Sequence, residues 1–395
     1  MTRISNQQDF STALPDQETE GPVATVAHLV YRFDVGGLEN GIVNIINNLP
    51  HHRYRHHIIC LDDFNPDFFT RVHHPNTRIH ALHKPPGKGL GYLYRLKRLL
   101  DALQPHIVHS RNLATLECQL AARWAGVAAR IHGEHGWDSL TDSQRFKPAL
   151  LRKVFSPLIH RYIALSNEGV DYLQQKIGIR SDRIERICNG VDTQRFLPAE
   201  QDLNVFSPQR PLLIGTVGRL ASVKNHALLI RAFAKLRACR PDWQNRMRLV
   251  IVGDGPLKAQ LQALIAQHEL SQYCDMLGAC DDIPRQMQRF DLYVQPSLAE
   301  GISNTILEAL ACGLAVVTTD VGGARELVEH NLCGQIIAND NIDELVTALC
   351  CYLDAPAQIA QHGSQARQRA LREFSIEGMV ARYHTLYQQL LRSNR

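Results

Sequence analysis

Two acidic residues, Glu300 and Glu308, lie in the stretch "SLAEGISNTILEALACG", whose other side chains are small, polar or apolar. Glu300 follows the predicted strand "LYVQPS" and precedes Gly301. We therefore expect it at the carboxyl end of a strand, where open α/β sheets bind ligands. Glu308 has a simpler interpretation, because Thr305 and Glu308 have the spacing of a capping box at a helix start. The sequence predicts a carboxylate in a ligand cleft at Glu300 and leaves Glu308 between a binding and a structural role.

A second candidate group is the basic loop "GTVGRLASVKNH", which presents Arg219 and Lys224 after Gly218. Glycine allows the backbone to approach a ligand closely, and two cations in one loop can bind a diphosphate. The alternative is a tight turn with two solvated cations. Neither the G-x-G-x-x-G nor the G-x-x-x-x-G-K-[ST] pattern occurs, which argues against dinucleotide-dependent hydride transfer and Walker-type chemistry.

Three predicted helix starts add anion-binding potential, because helix N-termini offer unpaired amides and a positive dipole end. They are Ser303 with Asn304, Gly322 with Gly323, and Gly36 with Gly37. Glu39 would fall in the first turn of the last of these helices, where an acid also simply favours the dipole.

The segment "HGEHG" raises the question of a metal site, since His132, Glu134 and His135 lie within four residues. On a strand, neighbouring side chains alternate between faces, so the two histidines would point apart. The chain also contains no Asp-x-Asp, a motif that binds a diphosphate through a metal ion. We therefore expect no metal and no cofactor.

The order of elements predicts two sheets. Short Val- and Ile-rich runs alternate with longer amphipathic stretches, pause at a polar, proline-bearing segment, and then resume, which is typical of βα units with parallel strands. We expect an α/β fold of two doubly wound domains facing across a cleft. The predicted parts are a disordered tail at 1–24, a first domain at 25–195, a linker at 196–210, a second domain at 211–375 and a C-terminal helix at 376–395 that packs back on the first domain.

Composition limits the class of protein. The 395 residues are 45% hydrophobic and 21% charged, which is typical of a soluble globular protein. Ten scattered cysteines without a Cys-x-x-Cys pair indicate a reducing, cytoplasmic compartment. No apolar run reaches about 18 residues, so no membrane span is expected. The net charge of +4 is too small to imply nucleic-acid binding.

Basic residues are nevertheless concentrated in two acid-free stretches, residues 84–98 and 145–161. Tyrosines and leucines accompany the cations in "KPPGKGLGYLYRLKRLL", and "RFKPALLRKVF" is the second basic stretch. Such a pattern favours contact with an anionic membrane, whereas the alternative is a helix with its apolar side chains in the core and its cations in solvent.

Taken together, these motifs resemble the retaining glycosyltransferases of family 4, which have the GT-B fold. The resemblance extends over nearly the whole chain through "GGLEN", "YIALSNEGVDYL", "GTVGRLASVKNH", "LVIVGDGPL" and the E-x7-E stretch that begins at Glu300. The first half, with "GGLENGIVNIINNLP" and "RIHGEHGWD", also resembles a branch associated with bacterial exopolysaccharide loci and the PEP-CTERM system.

The resemblance implies roles for individual residues. Arg219 and Lys224 match the basic pair that neutralises the donor diphosphate, Glu308 matches the residue that binds the ribose, and Glu300 would lie beside the donor sugar. His132 matches a first-domain histidine that reaches this sugar, although the match could slip to His135. The expected catalytic residues are Arg219, Lys224, Glu300 and His132. The expected donor-binding residues are Gly36, Gly37, Gly218, Arg219, Lys224, Gly278, Glu300, Gly301, Ser303, Asn304 and Glu308.

The expected function is therefore retaining, metal-independent transfer of a sugar from a nucleoside diphosphate sugar to a glycan or lipid-linked glycan acceptor, in exopolysaccharide or cell-surface polysaccharide synthesis. Two alternatives stay open: a sugar-nucleotide 2-epimerase of the same fold and a non-catalytic nucleotide-sugar-binding subunit. We expect a cytoplasmic protein with a peripheral contact to the inner face of an anionic membrane. The base, the sugar, the linkage and the oligomeric state are left open.

Overall fold

A computed structural model describes residues 23–85, 87, 91–135, 146–199 and 210–393. The predicted tail and linker therefore lie mostly outside the described residues, and the domain boundaries stay a prediction. Within the described part of the chain, no helix is both long and apolar enough to cross a membrane.

The first sheet has seven parallel strands in the order β3-β2-β1-β4-β5-β6-β7 among the described residues. The strands are β1 Ala24–Val30, β2 Tyr54–Cys60, β3 Thr77–Ala81, β4 Ile107–Arg111, β5 Ala129–Glu134, β6 Arg161–Ala164 and β7 Ile184–Arg186. Their central members are buried along their whole length, as expected for a parallel sheet covered on both faces.

The second sheet has six parallel strands in the order β10-β9-β8-β11-β12-β13 over the same described ranges. The strands are β8 Leu212–Val217, β9 Met247–Val252, β10 Cys274–Gly278, β11 Leu292–Gln295, β12 Ala315–Thr319 and β13 Gly334–Ile337. The strand positions in both sheets agree with the apolar runs of the sequence, and the two-sheet α/β prediction is confirmed.

Helices connect most of the strands. In the first half they are α1 Gly37–Asn48, α2 Pro66–Phe69, α3 Gly91–Leu103, α4 Cys118–Trp124, α5 Phe146–Phe155 and α6 Asn167–Asp171. In the second half they are α7 His226–Cys239, α8 Lys258–Gln267, α9 Ile283–Met287, α10 Asn304–Ala311, α11 Ala324–Leu327, α12 Ile342–Asp354, α13 Ala357–Glu373 and α14 Ile376–Ser393.

The chain forms two compact units. Among the described residues, the first unit contains those up to Ser110, together with Glu117–Arg130 and the last helix from Glu377. The second unit contains Arg111–Leu116 and the described residues between Ile131 and Ile376. Within the first unit, α14 packs on the strands: Tyr54 hydrogen-bonds His384 across 3.0 Å, and Tyr387 hydrogen-bonds His109 across 3.1 Å. The expected return of the last helix to the N-terminal domain is thus confirmed.

Helix α3 contains part of the first basic stretch, residues 84–98, and its burial decides between the two interpretations of that stretch. Tyr92, Leu93 and Leu96 are at most 3% exposed and belong to the core, and only Tyr94, at 64% exposure, points outward. The interpretation of Tyr92, Leu93 and Leu96 as membrane-facing is wrong, because the helix uses this apolar stripe to cover the sheet. Lys88 and Leu90 of the same stretch lie outside the described residues.

Candidate active site at the carboxyl edge of the second sheet

The candidate site lies where the strand order of the second sheet reverses. From β8 the chain proceeds outward on one side through β9 to β10, whereas β11, β12 and β13 proceed outward on the other. Ligands of open α/β sheets bind at such a switch point, outside the carboxyl ends of the strands. The loop after β8 carries Arg219 and Lys224, and the loop after β11 carries Glu300. The two predicted halves of the site therefore flank the switch point.

Three side chains donate hydrogen bonds to one oxygen, Oε1, of Glu300. The donors are Lys224 Nζ at 2.5 Å, Ser297 Oγ at 2.7 Å and Gln295 Nε2 at 2.9 Å. The Lys224 and Glu300 side chains are only 23% and 15% exposed. Because both are largely removed from water, their attraction is screened less than that of a surface ion pair. The predicted cation and the predicted carboxylate thus form one connected group.

Gln295 organises this group, although the sequence did not single it out. It is the last residue of β11 and is only 3% exposed. Its Nε2 donates to Glu300, while its Oε1 accepts from Ser303 Oγ at 2.9 Å and from Thr305 Oγ1 at 2.8 Å. One amide therefore joins the carboxylate to the first turn of α10. The available signal in the sequence was a lone amide at the end of an otherwise apolar strand.

Two glycines hold the Glu300 loop from the other side. Gly322 has φ +53°, and a Cβ there would lie 2.0 Å from the carbonyl oxygen of Glu300, so only glycine fits. The amide of Gly323 donates to the carbonyl of Gly301 at 2.8 Å. The expectation of a second phosphate site at these glycines is not supported, because the helix that follows is a single turn, Ala324–Leu327. Their role is close backbone packing under the loop.

The loop after β8 is tied directly to the loop after β11. Lys224 ends a short 3₁₀ turn, Ser222–Lys224, and the amide of Leu298 donates to the carbonyl of Val223 at 2.7 Å. A Cβ at Gly218 would meet the Lys224 side chain at an ordinary 3.8 Å, so Gly218 lies beside the lysine without being required there. This backbone bond fixes the distance over which Lys224 reaches Glu300.

Arg219 differs from Lys224 in its surroundings. Its side chain is exposed, and it has no side-chain partner among the described residues. The neighbouring His226 is only 3% exposed, and its burial, together with the charge of Lys224, lowers its pKa to about 4. His226 is therefore neutral near pH 7, and the positive charge of this loop resides on Arg219 and Lys224.

Helix α10 begins differently from the predicted capping box. Its N-cap is Ser303, whose Oγ accepts from the amide of Ile306 at 3.3 Å, and the helix starts at Asn304. Thr305 is thus already inside the helix, and Glu308 lies too far along it to be the reciprocal capping partner. The structural interpretation of Glu308 as a capping residue is wrong, and Glu308 is half-buried in the second turn.

Glu326 connects the Glu300 loop to the end of the first sheet, within the second compact unit. On α11, just after the two glycines, it accepts from the amide of Asn167 at 2.6 Å and from Arg186 Nε at 3.0 Å. Nearby, Asn189 Nδ2 donates to Asn304 Oδ1 at 2.8 Å. No sequence motif predicted these contacts, because the residues that make them are more than 100 positions apart in the chain.

The histidine segment contains a buried ion pair. His132 is 0% exposed, and its Nε2 lies 3.3 Å from Glu134 Oε1. Burial alone would raise the pKa of Glu134, but Arg152, which donates from Nε at 2.6 Å and Nη2 at 2.9 Å, and His132 outweigh it and lower this pKa to about 2. His135 is half-buried just after β5, and its amide donates to Asn112 Oδ1 at 2.8 Å. The role of His132 stays a prediction.

Three of the predicted glycines belong to other elements of the fold. Gly36 is the N-cap of α1 and Gly37 its first residue, both in the first unit. Gly278 ends the edge strand β10 with φ +77°, and its carbonyl accepts from the amide of Gly253 at 2.8 Å. These glycines have turn and cap roles in the structure, and their contact with a donor stays a prediction. Among the described residues, no cluster of three His, Cys, Asp or Glu side chains could hold a metal ion.

A solved structure shares this architecture. Anabaena Alr3699/HepE in complex with UDP aligns with a TM-score of 0.77 over 92% of this chain and 100% of that chain, at 21% identity. Identity at that level establishes the fold alone. The two parallel sheets are those of a GT-B protein, and the fold prediction is confirmed.

Sequence comparisons establish the family. The model described as "Glycosyltransferase Family 4" matches residues 35–195, and the model described as "Glycosyl transferases group 1" matches residues 200–369. The chain belongs to the family 4 glycosyltransferases.

Two curated relatives illustrate the similarity. An N-acetylgalactosamine-N,N'-diacetylbacillosaminyl-diphospho-undecaprenol 4-alpha-N-acetylgalactosaminyltransferase from Campylobacter jejuni is 32% identical over 52% of this chain and 54% of its own length. A UDP-Gal:alpha-D-GlcNAc-diphosphoundecaprenol alpha-1,3-galactosyltransferase from Escherichia coli is 27% identical over 92% of this chain and 96% of its own. The chain thus spans about half the length of the first relative and nearly all of the second.

Proposed function

We propose that this protein transfers a sugar from a nucleoside diphosphate sugar to a lipid-linked or other glycan acceptor, with retention of the anomeric configuration and without a metal ion. The observation that carries the proposal is the Lys224–Glu300 pair at the switch point of the second sheet, with the exposed Arg219 in the same loop. Two cations and the start of α10 suit a diphosphate, because charge-assisted hydrogen bonds and helix N-termini both favour anions.

The chemistry follows from where charge develops. When the bond between sugar and diphosphate breaks, negative charge accumulates on the leaving phosphate oxygen. Arg219 and Lys224 would stabilise that charge, and a fixed donor aimed at developing charge typically contributes about 3 kcal/mol. Glu300, held by Gln295 and Ser297, would bind hydroxyls of the donor sugar. Rigid placement of these groups is what makes them more effective in the transition state than in the bound substrate.

The names of the two relatives support a particular donor and acceptor. Both name a diphosphoundecaprenol-type acceptor and an alpha linkage, and one names a UDP sugar as donor. We therefore propose a UDP sugar as the first donor to test and a polyprenyl-diphosphate-linked glycan as acceptor. The role would be in exopolysaccharide or cell-surface polysaccharide synthesis at the cytoplasmic face of the membrane.

A nucleotide panel tests the donor site. UDP, GDP and ADP are added separately at a series of concentrations, and the melting temperature is measured for wild type and for Lys224→Ala. A ligand that binds only the folded state at about 100 times its Kd stabilises it by about 2.7 kcal/mol. We expect UDP to raise the melting temperature, and a panel without any shift would contradict the proposal.

A separate incubation with a UDP sugar and no acceptor tests the alternative enzyme activity. Conversion of the UDP sugar into its 2-epimer would identify an epimerase.

A further inference from the structure

Helix α5 carries an exposed apolar cluster. Leu150, Leu151 and Val154 are 46%, 37% and 62% exposed, and Lys147 and Lys153, both exposed, lie beside them. Residues three and four apart lie on one face of a helix, so Lys147, the two leucines and Val154 form a single stripe. We call these five residues the α5 face.

The opposite side of α5 is fixed to the protein. Ala149 is 6% exposed and Arg152 is 2% exposed. Arg152 donates two hydrogen bonds, of 2.6 and 2.9 Å, to the Glu134 carboxylate. Rotating the helix to bury the apolar stripe would break this buried ion pair, which is strongly unfavourable. The α5 face is thus held outward.

The charge of the segment indicates the partner. Residues 146–161 contain basic residues but neither Asp nor Glu. Clusters of exposed apolar residues mark interaction sites, and an apolar stripe bordered by lysines matches a bilayer surface with anionic headgroups, where apolar side chains enter the interface and lysines meet the phosphates. Helix α3 lacks such a stripe, since Tyr92, Leu93 and Leu96 are buried.

We propose that the α5 face docks the protein on an anionic membrane surface. The proposal rests on the proposed function in one respect only, namely that a lipid-linked acceptor gives the enzyme a reason to bind there. Through the Arg152–Glu134 pair, the docking helix is joined to the strand that ends beside His135. Docking would therefore occur next to the carboxyl end of β5.

Vesicle sedimentation tests this directly with the full chain. Vesicles of phosphatidylcholine alone are compared with vesicles containing about one third phosphatidylglycerol, at low and high salt. We expect binding to the anionic vesicles that weakens with salt. The variant Lys147→Glu with Lys153→Glu should weaken binding at least about 25-fold, from about fivefold for each lysine. The variant that places Ser at Leu150, Leu151 and Val154 should weaken it at least about tenfold.

A matched variant on α3 provides the control. Tyr94→Ser with Arg95→Glu and Arg98→Glu changes exposed residues of the same kinds. We expect this variant to bind vesicles within about twofold of wild type. If the α3 variant loses binding and the α5 variants keep it, the proposal is overturned. Binding that is independent of lipid charge and salt also overturns it.

Other occupants of the α5 face would give distinct results. A concentration-dependent dimer that the serine variant dissociates, without vesicle binding by wild type, would assign the face to a second copy. A large drop in the melting temperature of the serine variant, without vesicle binding by wild type, would show that the face is covered by the chain itself. Either result overturns docking. Because UDP binding is measured separately, loss of docking with intact UDP binding leaves the proposed function standing, and vesicle binding without UDP binding does the reverse.

Discussion

Replacing Lys224 by alanine should have two separable consequences. The first is kinetic, because loss of one group that stabilises transition-state charge costs about 3 kcal/mol, or about a hundredfold in turnover. The second is structural, because Glu300 would still accept from Gln295 and Ser297 but would lose its cation. With side chains 23% and 15% exposed, this pair lies between a surface pair and a buried one. We therefore expect a loss of about 1–2 kcal/mol in the free energy of unfolding.

Two other basic residues separate these consequences. Arg219→Ala should slow turnover by a similar factor without lowering stability, because Arg219 is exposed and has no side-chain partner in the part of the chain that the structure describes. Lys235→Ala should change neither quantity, since Lys235 pairs with Asp343 on the surface, where such pairs contribute little.

The measurements are initial rates at saturating donor, the Kd of UDP by titration calorimetry and unfolding in urea. We expect turnover to fall much more than UDP affinity in both the Lys224 and the Arg219 variant. Unchanged turnover in Lys224→Ala, or a loss of UDP affinity as large as the loss of turnover, would refute a transition-state role for the lysine.

Four Glu→Gln changes test other acidic residues, with Arg325→Ala as a control. Glu308→Gln should weaken UDP binding, whereas Glu300→Gln should mainly slow turnover; the reverse pattern in binding and rate measurements would exchange their roles. The pKa of Glu134 is lowered from 4.5 to about 2, so its ionised form should contribute about 3 kcal/mol to the free energy of unfolding above pH 4.5. This contribution is lost as the pH falls toward 2. Glu134→Gln should therefore flatten the pH dependence of stability in acid unfolding. Glu326→Gln should weaken the contacts with Asn167 and Arg186 and thereby lower kcat with little change in UDP affinity. The control Arg325→Ala, on the same turn, should leave kcat and UDP affinity unchanged. A loss of UDP affinity as large as the loss of kcat in Glu326→Gln would show that Glu326 only supports the fold.

The sheets were predictable because their signal is local. Fully buried parallel strands need continuous apolar residues, and runs such as those of β1 and β9 meet that need without help from distant residues. The carboxyl-edge position of Glu300 followed from the same pattern, since a polar segment after an apolar run marks a strand end. The pairing of Glu300 with Lys224 was not predictable, because it depends on β8 and β11 being neighbours in the sheet.

The capping pattern failed for a related reason. Ser303, Thr305 and Glu308 offer two overlapping helix starts, and the sequence does not distinguish them. The buried amide of Gln295 does, because it requires donors from both hydroxyls and thereby fixes the register of α10. Buried polar groups must find partners, and these partners are set by tertiary structure. The same reasoning explains why Glu326, whose partners are remote in sequence, was missed.

The most direct test of the proposed function is proton NMR of the product formed from a UDP sugar and a diphosphate-linked glycan acceptor in the presence of EDTA. We expect a new glycosidic signal with the anomeric configuration of the donor and release of one UDP for each sugar transferred. A product of inverted configuration, or activity that EDTA abolishes and magnesium restores, would contradict retaining transfer by the residues around Glu300 and Lys224 without a metal ion.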